Sequence, residues 1–127
     1  MQATTRKTGV AAKRVLIVDD NVDLVQSMAH MLRHLGHQVD FAINAAAAIE
    51  LAPVFKPDVV FLDIGLPDAR GYEVALKFRR HPDLTGARIV MITGLGAQHR
   101  DAALASGGDE FLLKPLDPVT VARLLER

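Results

Sequence analysis

Residues 14–20 read Arg-Val-Leu-Ile-Val-Asp-Asp, a short apolar and β-branched run that ends at two aspartates. Two later segments repeat this pattern: Val-Val-Phe-Leu-Asp at residues 59–63 and Ile-Val-Met-Ile-Thr at residues 89–93. Continuous apolar runs of this length, bounded by polar residues, are typical of strands that are buried on both faces of a parallel sheet. The three segments therefore predict the centre of such a sheet, with polar side chains where each strand ends.

Helical patterns separate these strands. The first predicted helix follows Asn21, a favourable amino-terminal cap, and ends at Gly36. Its apolar positions at helical spacing are Leu24, Met28, Met31 and Leu35. Asn44 caps a second helix, which Pro53 and Pro57 should end. The face of this second helix that packs on the sheet is predicted to consist of Ala45, Ala48, Ile49 and Ala52.

The remaining segments complete an alternation of five strands and five helices. Further strands are predicted at residues 39–42 and 111–113, and further helices around residues 72–80, 98–106 and 119–125. Strands that alternate with helices imply an α/β fold, here a (βα)5 doubly wound, flavodoxin-like sandwich around a parallel sheet. The strand at residues 39–42 alternates polar and apolar residues, which favours an edge position and the strand order 2-1-3-4-5.

Length and composition predict one domain over residues 13–127, preceded by a tail or linker over residues 1–12. The chain has 127 residues, and its 15 basic residues balance its 15 acidic ones. Nucleic-acid and membrane surfaces generally need a basic excess, so we expect neither as a direct partner. No apolar run approaches the roughly 20 residues of a membrane span and the amino terminus has no apolar signal-peptide core, so we expect a cytoplasmic protein. The sequence has no cysteine, which excludes disulfides and thiolate metal sites. The basic residues Lys77, Arg79 and Arg80 are expected to form a solvated helix end.

Polar side chains end four of the five predicted strands. Asp19 and Asp20 follow strand 1, Asp63 follows strand 3, Thr93 follows strand 4 and Lys114 follows strand 5. Parallel strands end at one edge of the sheet, and in the order 2-1-3-4-5 these four strands are neighbours. Strand 2 lies outside them and contributes no polar side chain. The sequence therefore predicts that three carboxylates, a hydroxyl and an ammonium group meet in one crevice.

Three carboxylates in one crevice need a counter-charge, because each raises the pKa of the others. Mg²⁺ is the predicted cofactor, since it binds through a few carboxylates together with water and phosphate oxygens. A metal ion, a lysine and a hydroxyl around one carboxylate are suited to phosphoryl transfer onto an oxygen nucleophile.

Five separated motifs occur in order at these strand ends and in the loops that follow them. They are Val-Asp-Asp (18–20), Phe-Leu-Asp-Ile-Gly-Leu-Pro (61–67), Gly-Tyr-Glu (71–73), Ile-Thr-Gly (92–94) and Lys-Pro (114–115). Together they resemble the receiver domain of response regulators, the phosphorylated switch of two-component signalling. The resemblance covers nearly everything from residue 14 to residue 127. The motif sequences are similar to those of receivers in hybrid sensor kinases and of single-domain regulators.

The resemblance implies a role for each matched position in the crevice. Asp63 is similar to the phosphoacceptor of the family. Asp19 and Asp20 are similar to the acidic pair that holds Mg²⁺, with the help of Asp63 itself and of the backbone carbonyl of Gly65. Lys114 is similar to the residue that pairs with the phosphoryl oxygens.

The resemblance also implies a conformational switch. Thr93 is expected to turn towards the phosphoryl group, and Phe111 is expected to follow it inward. A cis peptide bond is expected between Lys114 and Pro115, a position where proline makes this isomer accessible. The surface formed by helix 4, strand 5 and helix 5 is then expected to change. The family partner that the resemblance implies is a histidine kinase or a histidine phosphotransfer domain, and the module is not an enzyme in the usual sense.

Some positions depart from the family pattern. Phe111 stands where tyrosine is more frequent, and Arg70 stands where an acidic residue is usual. Gly65 and Leu95, which flank the phosphoryl site in the family, have no polar side chain to orient water. We therefore hypothesise slow self-dephosphorylation.

Two other functions are compatible with parts of this pattern. A Mg²⁺-dependent phosphohydrolase could use Asp63 as its nucleophile, but such enzymes generally need an acid or base two residues later, where Gly65 stands. A flavin or nucleotide binder of the same fold needs a glycine- and hydroxyl-rich loop after strand 1, where Asp19 and Asp20 stand instead.

Overall fold

The computed structural model describes residues 11–126, which form one sheet with helices on both faces. The strands are β1 (Arg14–Val18), β2 (Gln38–Ala42), β3 (Val59–Asp63), β4 (Arg88–Thr93) and β5 (Glu110–Leu113). The helices are α1 (Val22–His34), α2 (Ala45–Phe55), α3 (Gly71–Arg80), α4 (Arg100–Ala105) and α5 (Pro118–Leu124), with a 3₁₀ turn (Ala97–His99) before α4. The tail predicted over residues 1–12 lies almost wholly outside the described residues, and its boundary stays a prediction.

The sheet is parallel throughout and its order is β2-β1-β3-β4-β5, which confirms the predicted topology. All five residues of β3 are buried, as expected of a central strand that is covered on both faces. In β2, Val39 and Ala42 are buried while Gln38 and Phe41 are exposed. The strand lies at the edge of the sheet as predicted, but its burial does not follow a strict two-residue alternation. This order places β1 and β3 side by side, so that the residues following both strands reach the same crevice.

Two apolar layers cover the sheet. Helices α1 and α5 cover one face, where their buried side chains pack against Val15, Ile17 and Phe61. Helices α2, α3 and α4 cover the other face through small or flat side chains such as Ala48 and Phe78. Each large aliphatic or aromatic side chain buried in this way contributes about 1.5–3 kcal/mol. No helix in the described part of the chain is long and apolar enough to cross a membrane.

Both predicted asparagine caps are confirmed. Oδ1 of Asn21 accepts a hydrogen bond from the Leu24 amide at 3.2 Å, at the start of α1. Oδ1 of Asn44 accepts one from the Ala47 amide at 2.8 Å, at the start of α2. Each of these bonds satisfies an amide that has no partner inside its helix, which is worth about 1 kcal/mol.

The buried face of α1 coincides only in part with the apolar positions that its helical spacing indicated. The residues that α1 buries are Val25, Met28, Ala29 and Leu32. Of the four predicted positions only Met28 is buried, whereas Leu24, Met31 and Leu35 are half-buried at the margin of the same layer. The apolar stripe of α1 is wide enough to include both sets. Periodicity locates the stripe but does not decide which half of it faces the sheet.

The end of α2 was predicted wrongly. Pro53 lies inside the helix, which continues to Phe55 and ends where Lys56 adopts the left-handed conformation with φ of 55°. A proline in the last turn removes only one helical hydrogen bond, and Ala52 stays fully buried against the sheet. The Lys56 amide still donates to the Ala52 carbonyl at 2.8 Å. Packing of the small-residue face therefore outweighs the local cost of the proline.

Arg79 is not part of a solvated helix end. Its guanidinium group donates to the carbonyls of Gly107 at 2.9 Å and Ala87 at 2.6 Å, and it forms an ion pair with Asp109. Of the three basic residues at the end of α3, Lys77 and Arg80 are exposed as expected. Arg79 instead ties α3 to the segments that precede β4 and β5.

Candidate functional site

The carboxyl-terminal edge of the sheet brings together the charged side chains that the sequence placed there. One carboxylate oxygen each of Asp19, Asp20 and Asp63 lie within 4.8 Å of one another. The ammonium group of Lys114 lies 2.7 Å from Oδ2 of Asp19 and 3.7 Å from Oδ2 of Asp63. Three carboxylates and one ammonium group therefore share one crevice, formed by the ends of β1, β3 and β5.

Asp19 and Asp20 are adjacent in sequence but differ in environment. Asp19 is fully buried, and its Oδ1 accepts a hydrogen bond from the Asn21 amide at 2.9 Å. Within residues 11–126, Oδ2 of Asp19 has no hydrogen bond of good geometry, although Lys114 Nζ lies close to it. Asp20 is exposed at the mouth of the crevice. One carboxylate is thus fixed inside the protein, while the other is accessible to an ion that enters from solvent.

Asp63 ends β3 at the centre of this group and is 5% exposed. Burial, followed by the negative charge of Asp19, raises the pKa of the Asp63 carboxyl above its ordinary value. A hydrogen bond from the Gly65 amide at 3.2 Å and the charge of Lys114 partly offset this rise. Burial and the neighbouring carboxylate therefore disfavour the charged form of Asp63 relative to an exposed aspartate.

Gly71 allows the loop after β3 to close tightly over the end of that strand. A Cβ atom at this position would lie 2.4 Å from the carbonyl oxygen of Asp63, a distance that no side chain tolerates. The Gly71 amide donates to the Ile64 carbonyl at 2.8 Å, and Gly65 pairs with Arg70 across the loop. The Gly-Tyr-Glu motif thus begins with the one residue type that fits this close approach.

Thr93 and Phe111 occupy the positions where a switch was expected. Thr93 is fully buried at the end of β4, and its hydroxyl oxygen accepts a hydrogen bond from the Leu95 amide at 3.0 Å. Phe111 is half-buried and packs against the core layer on the side of α2, α3 and α4. The Lys114 amide donates to the Thr93 carbonyl at 2.8 Å, and the bond between Lys114 and Pro115 is cis.

Gly65 and Leu95 flank the crevice. Leu95 is 54% exposed, and a Cβ atom placed on Gly65 would lie 3.9 Å from its Cδ1. Leu95 therefore lies next to Gly65, whose amide donates to the Asp63 carboxylate. Neither has a polar side-chain group.

The donor set fits a hard divalent cation. Among the described residues, three carboxylates and one lysine give the crevice a formal charge of −2. The buried Oδ2 of Asp19 has no well-formed hydrogen bond within the described residues. Carboxylate oxygens that are close together, with one of them open to solvent, match the way in which Mg²⁺ binds through few protein ligands and several waters.

Two contacts near the site were not predicted from the sequence. The carboxylate of Asp68, in the loop after β3, accepts hydrogen bonds from the first amides of α2, whose residues lie 23 and 22 positions earlier in the chain. The hydroxyl group of Tyr72, in the first turn of α3, lies 2.7 Å from Nδ1 of His99. Neither pair follows a local pattern. A Pro-Asp step in a loop is the only sequence signal for Asp68.

Comparison with known proteins identifies the family. Residues 15–126 match the model of the response regulator receiver domain. The transcriptional regulatory protein PrrA of Mycobacterium leprae is 36% identical over 108 residues, which are 85% of this chain and 46% of PrrA. The chain thus spans less than half the length of PrrA and of similar transcriptional regulators that it matches.

Solved receiver structures share the fold. The chemotaxis regulator CheY4 of Vibrio cholerae is 28% identical with a TM-score of 0.85, over 92% of this chain and 98% of that one. The receiver domain of a sensor histidine kinase from Pseudomonas aeruginosa PAO1 is 27% identical with a TM-score of 0.83, over 92% and 97% of the two chains, and carries a magnesium ion in its active site cleft. With its five motifs, its parallel sheet and its acidic crevice, the chain belongs to the response regulator receiver domain family.

Proposed function

We propose that this chain is the phosphoacceptor module of a two-component phosphorelay, in which Asp63 receives a phosphoryl group from a phosphohistidine with the help of Mg²⁺. The observation that carries this proposal is the convergence of Asp63 with Asp19, Asp20 and Lys114 at the end of the sheet. Receiver domains are signalling modules rather than conventional enzymes, and their partners are histidine kinases. The donor of this chain is proposed to be such a kinase or a histidine phosphotransfer domain in the cytoplasm.

The Asp63 carboxylate acts as the nucleophile in the proposed transfer. One of its oxygens forms a bond to phosphorus while the P–N bond of the phosphohistidine breaks. The imidazole nitrogen leaves with the electron pair and takes up a proton. The ammonium group of Lys114, 3.7 Å from Oδ2 of Asp63, is close enough to pair with a phosphoryl oxygen on that carboxylate. Burial and the charge of Asp19 raise the pKa of Asp63, so a cation bound beside this carboxyl would favour its charged, nucleophilic form.

Asp19, Asp20 and Asp63 are the proposed side-chain ligands of Mg²⁺, and the carbonyl of Gly65 is the proposed backbone ligand. A bound Mg²⁺ supplies positive charge that offsets the repulsion between the phosphoryl oxygens and the carboxylates. Asp19 is held in place by the Asn21 amide, so its orientation is fixed before an ion arrives. The magnesium ion in the related Pseudomonas receiver supports this assignment.

Thr93 and Phe111 are the proposed switch residues. The Thr93 hydroxyl oxygen accepts a hydrogen bond from the Leu95 amide. After phosphorylation it would donate to a phosphoryl oxygen instead, and the space that it leaves beside β5 would admit the half-buried Phe111. Movement of these two side chains changes the surface formed by α4, β5 and α5, which is the proposed output surface.

Beryllium fluoride with Mg²⁺ tests this proposal, because it forms a stable mimic of a phosphorylated carboxylate. We expect the amide resonances of Thr93, Phe111 and the segment around α4 to shift in the wild-type protein, and those of Asp63→Asn to stay in place. Asp58→Asn is the matched control, since Asp58 precedes the same strand at its opposite end. An unchanged wild-type spectrum, or equal shifts in Asp63→Asn, contradicts the proposal.

A further inference from the structure

The loop that joins β3 to α3, residues 64–70, connects the proposed phosphoacceptor to the rest of the molecule. Its base is closed by the bond between the Gly71 amide and the Ile64 carbonyl, and by the pairing of Gly65 with Arg70. Ile64 and Leu66 point into the core, where they are 0% and 8% exposed. Gly65, which carries the proposed backbone ligand, is exposed between these two buried residues.

The outer part of this loop is attached to a different helix. Oδ1 of Asp68 accepts a hydrogen bond from the Ala45 amide at 2.7 Å, and Oδ2 accepts one from the Ala46 amide at 3.0 Å. Oδ1 of Asn44 accepts a hydrogen bond from the next amide, that of Ala47. The start of α2 therefore has two caps: a local one from Asn44, and a bidentate one from a loop that follows the phosphoacceptor. These amide bonds also lower the pKa of Asp68 below its ordinary value, so its carboxylate stays charged at neutral pH.

Helix α2 is a rigid anchor for this contact. Ala45, Ala48 and Ala52 are at most 2% exposed, because the helix lies directly on the sheet through these small side chains. A loop that is bonded to the first turn of such a helix cannot shift without breaking two charge-assisted hydrogen bonds. Asp68 itself is exposed, so its carboxylate adds no apolar packing to the core.

We propose that Asp68 is a positioning residue of the magnesium site, which acts by holding the loop of residues 64–70 against α2 so that the Gly65 carbonyl faces the acidic crevice. Asp68 itself does not contact the ion. This inference rests on the proposed function, because it assumes that the crevice binds Mg²⁺. It assigns to Asp68 an effect on metal affinity that is separate from its effect on helix stability.

Three variants separate the two effects. Asp68→Ala removes both loop-to-helix bonds. Asn44→Ala removes the local cap of the same helix and leaves the loop bonded, so it is the matched control for helix stability. Asp68→Asn keeps one acceptor oxygen but removes the charge, so it controls for long-range attraction of the cation. For each variant, Mg²⁺ titrations monitored by NMR give the Kd and the position of the Gly65 amide resonance, and thermal unfolding gives the midpoint.

We expect Asp68→Ala to weaken Mg²⁺ binding about tenfold, as outer-shell substitutions at metal sites commonly do, and to move the Gly65 amide resonance even without Mg²⁺. Asn44→Ala should lower the unfolding midpoint as much as Asp68→Ala does, but should leave the Kd for Mg²⁺ within twofold of wild type. Asp68→Asn should retain most of the Mg²⁺ affinity. A wild-type Kd in Asp68→Ala, an equal loss in Asn44→Ala, or an equal loss in Asp68→Asn overturns the inference. If wild type binds no Mg²⁺ at all, the proposed function fails instead.

Discussion

Charged side chains have different partners at the two edges of the sheet. At the amino-terminal edge, Arg14, Arg79 and Arg88 each have an acceptor for the guanidinium group on a neighbouring segment. At the carboxyl-terminal edge, three carboxylates share the single ammonium group of Lys114. Both edges are built from the same five strands, so the difference lies in the side chains at the strand ends and not in the backbone.

The amino-terminal edge joins segments that are distant in the chain. The guanidinium group of Arg14 donates to the Phe55 carbonyl at 2.8 Å and stacks on the Phe55 ring at 4.4 Å. Arg88 donates to the Leu124 carbonyl at 2.7 Å and forms an ion pair with Glu110. Both guanidinium groups thus have hydrogen-bond acceptors on distant segments of the protein, and contacts of this kind stabilise the fold.

Within residues 11–126, the carboxyl-terminal edge has an excess of negative charge, with three carboxylates against the one ammonium group of Lys114. Burial raises the pKa of Asp63, and Oδ2 of Asp19 is buried without a well-formed hydrogen bond among the described residues. Such an arrangement costs stability in the metal-free protein and favours the binding of a cation. The amino-terminal edge therefore stabilises the fold, whereas the carboxyl-terminal edge is available for the proposed phosphoryl transfer.

Substituting one carboxylate at each edge should separate their roles most strongly. Asp20→Asn removes an exposed ligand and should weaken Mg²⁺ binding roughly 100-fold, because affinity for hard cations depends steeply on the number of charged ligands. Its free energy of unfolding should stay at or above that of wild type. Asp58→Asn, at the opposite edge, alters the acceptor of the Arg14 amide and should leave the Mg²⁺ affinity unchanged. NMR titration with Mg²⁺ measures both variants, and equal affinities in Asp20→Asn and wild type would remove the distinction between the edges.

Arg79 tests the stabilising role of the amino-terminal edge. Arg79→Ala removes a side chain that bonds the carbonyls of Gly107 and Ala87 and pairs with Asp109, so the free energy of unfolding should fall by about 2 kcal/mol. Arg80→Ala changes the exposed neighbour and should cost less than about 0.5 kcal/mol. Urea unfolding gives both values. If Arg79→Ala unfolds like wild type, or if it alters the Mg²⁺ affinity, the purely stabilising role of the amino-terminal edge is contradicted.

The apolar rim of the crevice predicts a long phosphoryl lifetime. Gly65 and Leu95 offer no polar side-chain group that could orient an attacking water beside Asp63. Gly65→Asn should therefore shorten the half-life of the phosphorylated protein roughly tenfold, a modest share of what a positioned polar group can contribute. Gly86→Asn is the control. Gly86 lies before β4 at the amino-terminal edge of the sheet, and a Cβ atom there would have no neighbour within 4 Å. A wild-type half-life of seconds with Mg²⁺ at room temperature would exclude slow dephosphorylation.

The smallest expected effect is on the free energy of unfolding measured without Mg²⁺, to which the acidic crevice contributes. The folded-state pKa of Asp63 is raised, so the stability that this group contributes is fully present below the ordinary pKa of aspartate and is lost as pH rises through the raised value. Asp63→Asn should thus be about 1 kcal/mol more stable than wild type at neutral pH without Mg²⁺. The gain should vanish in acid. Urea unfolding at two pH values measures it, with exposed Asp83→Asn as the control, and a gain that persists in acid contradicts the assigned cause.

The sequence predicted the sheet and most of the crevice for a physical reason. Buried parallel strands need continuous apolar runs, and the residues that follow such runs must meet at one edge once the strand order is known. Asp19, Asp20, Asp63 and Lys114 could therefore be placed together without any knowledge of distances. The strand order itself followed from the alternating pattern of the strand at residues 39–42.

The features that were missed depend on contacts between distant segments. The buried face of α1 is rotated towards Val25 and Leu32, because the sheet selects one half of a wide apolar stripe. Pro53 stays inside α2 because burial of neighbouring alanines outweighs one lost hydrogen bond. Arg79 and Asp68 bond to backbone groups that are far from them in the chain. No local pattern specifies such partners, so they become visible only in the folded protein.

Covalent phosphorylation tests the central claim most directly. The protein is incubated with a small phosphoryl donor such as acetyl phosphate, with and without Mg²⁺, and its intact mass is measured. We expect wild type to gain one phosphoryl group only when Mg²⁺ is present, peptide mapping to place this group on Asp63, and Asp63→Asn to gain none. Wild type that stays unmodified with Mg²⁺, or an equal gain in Asp63→Asn, would contradict the proposed role of Asp63.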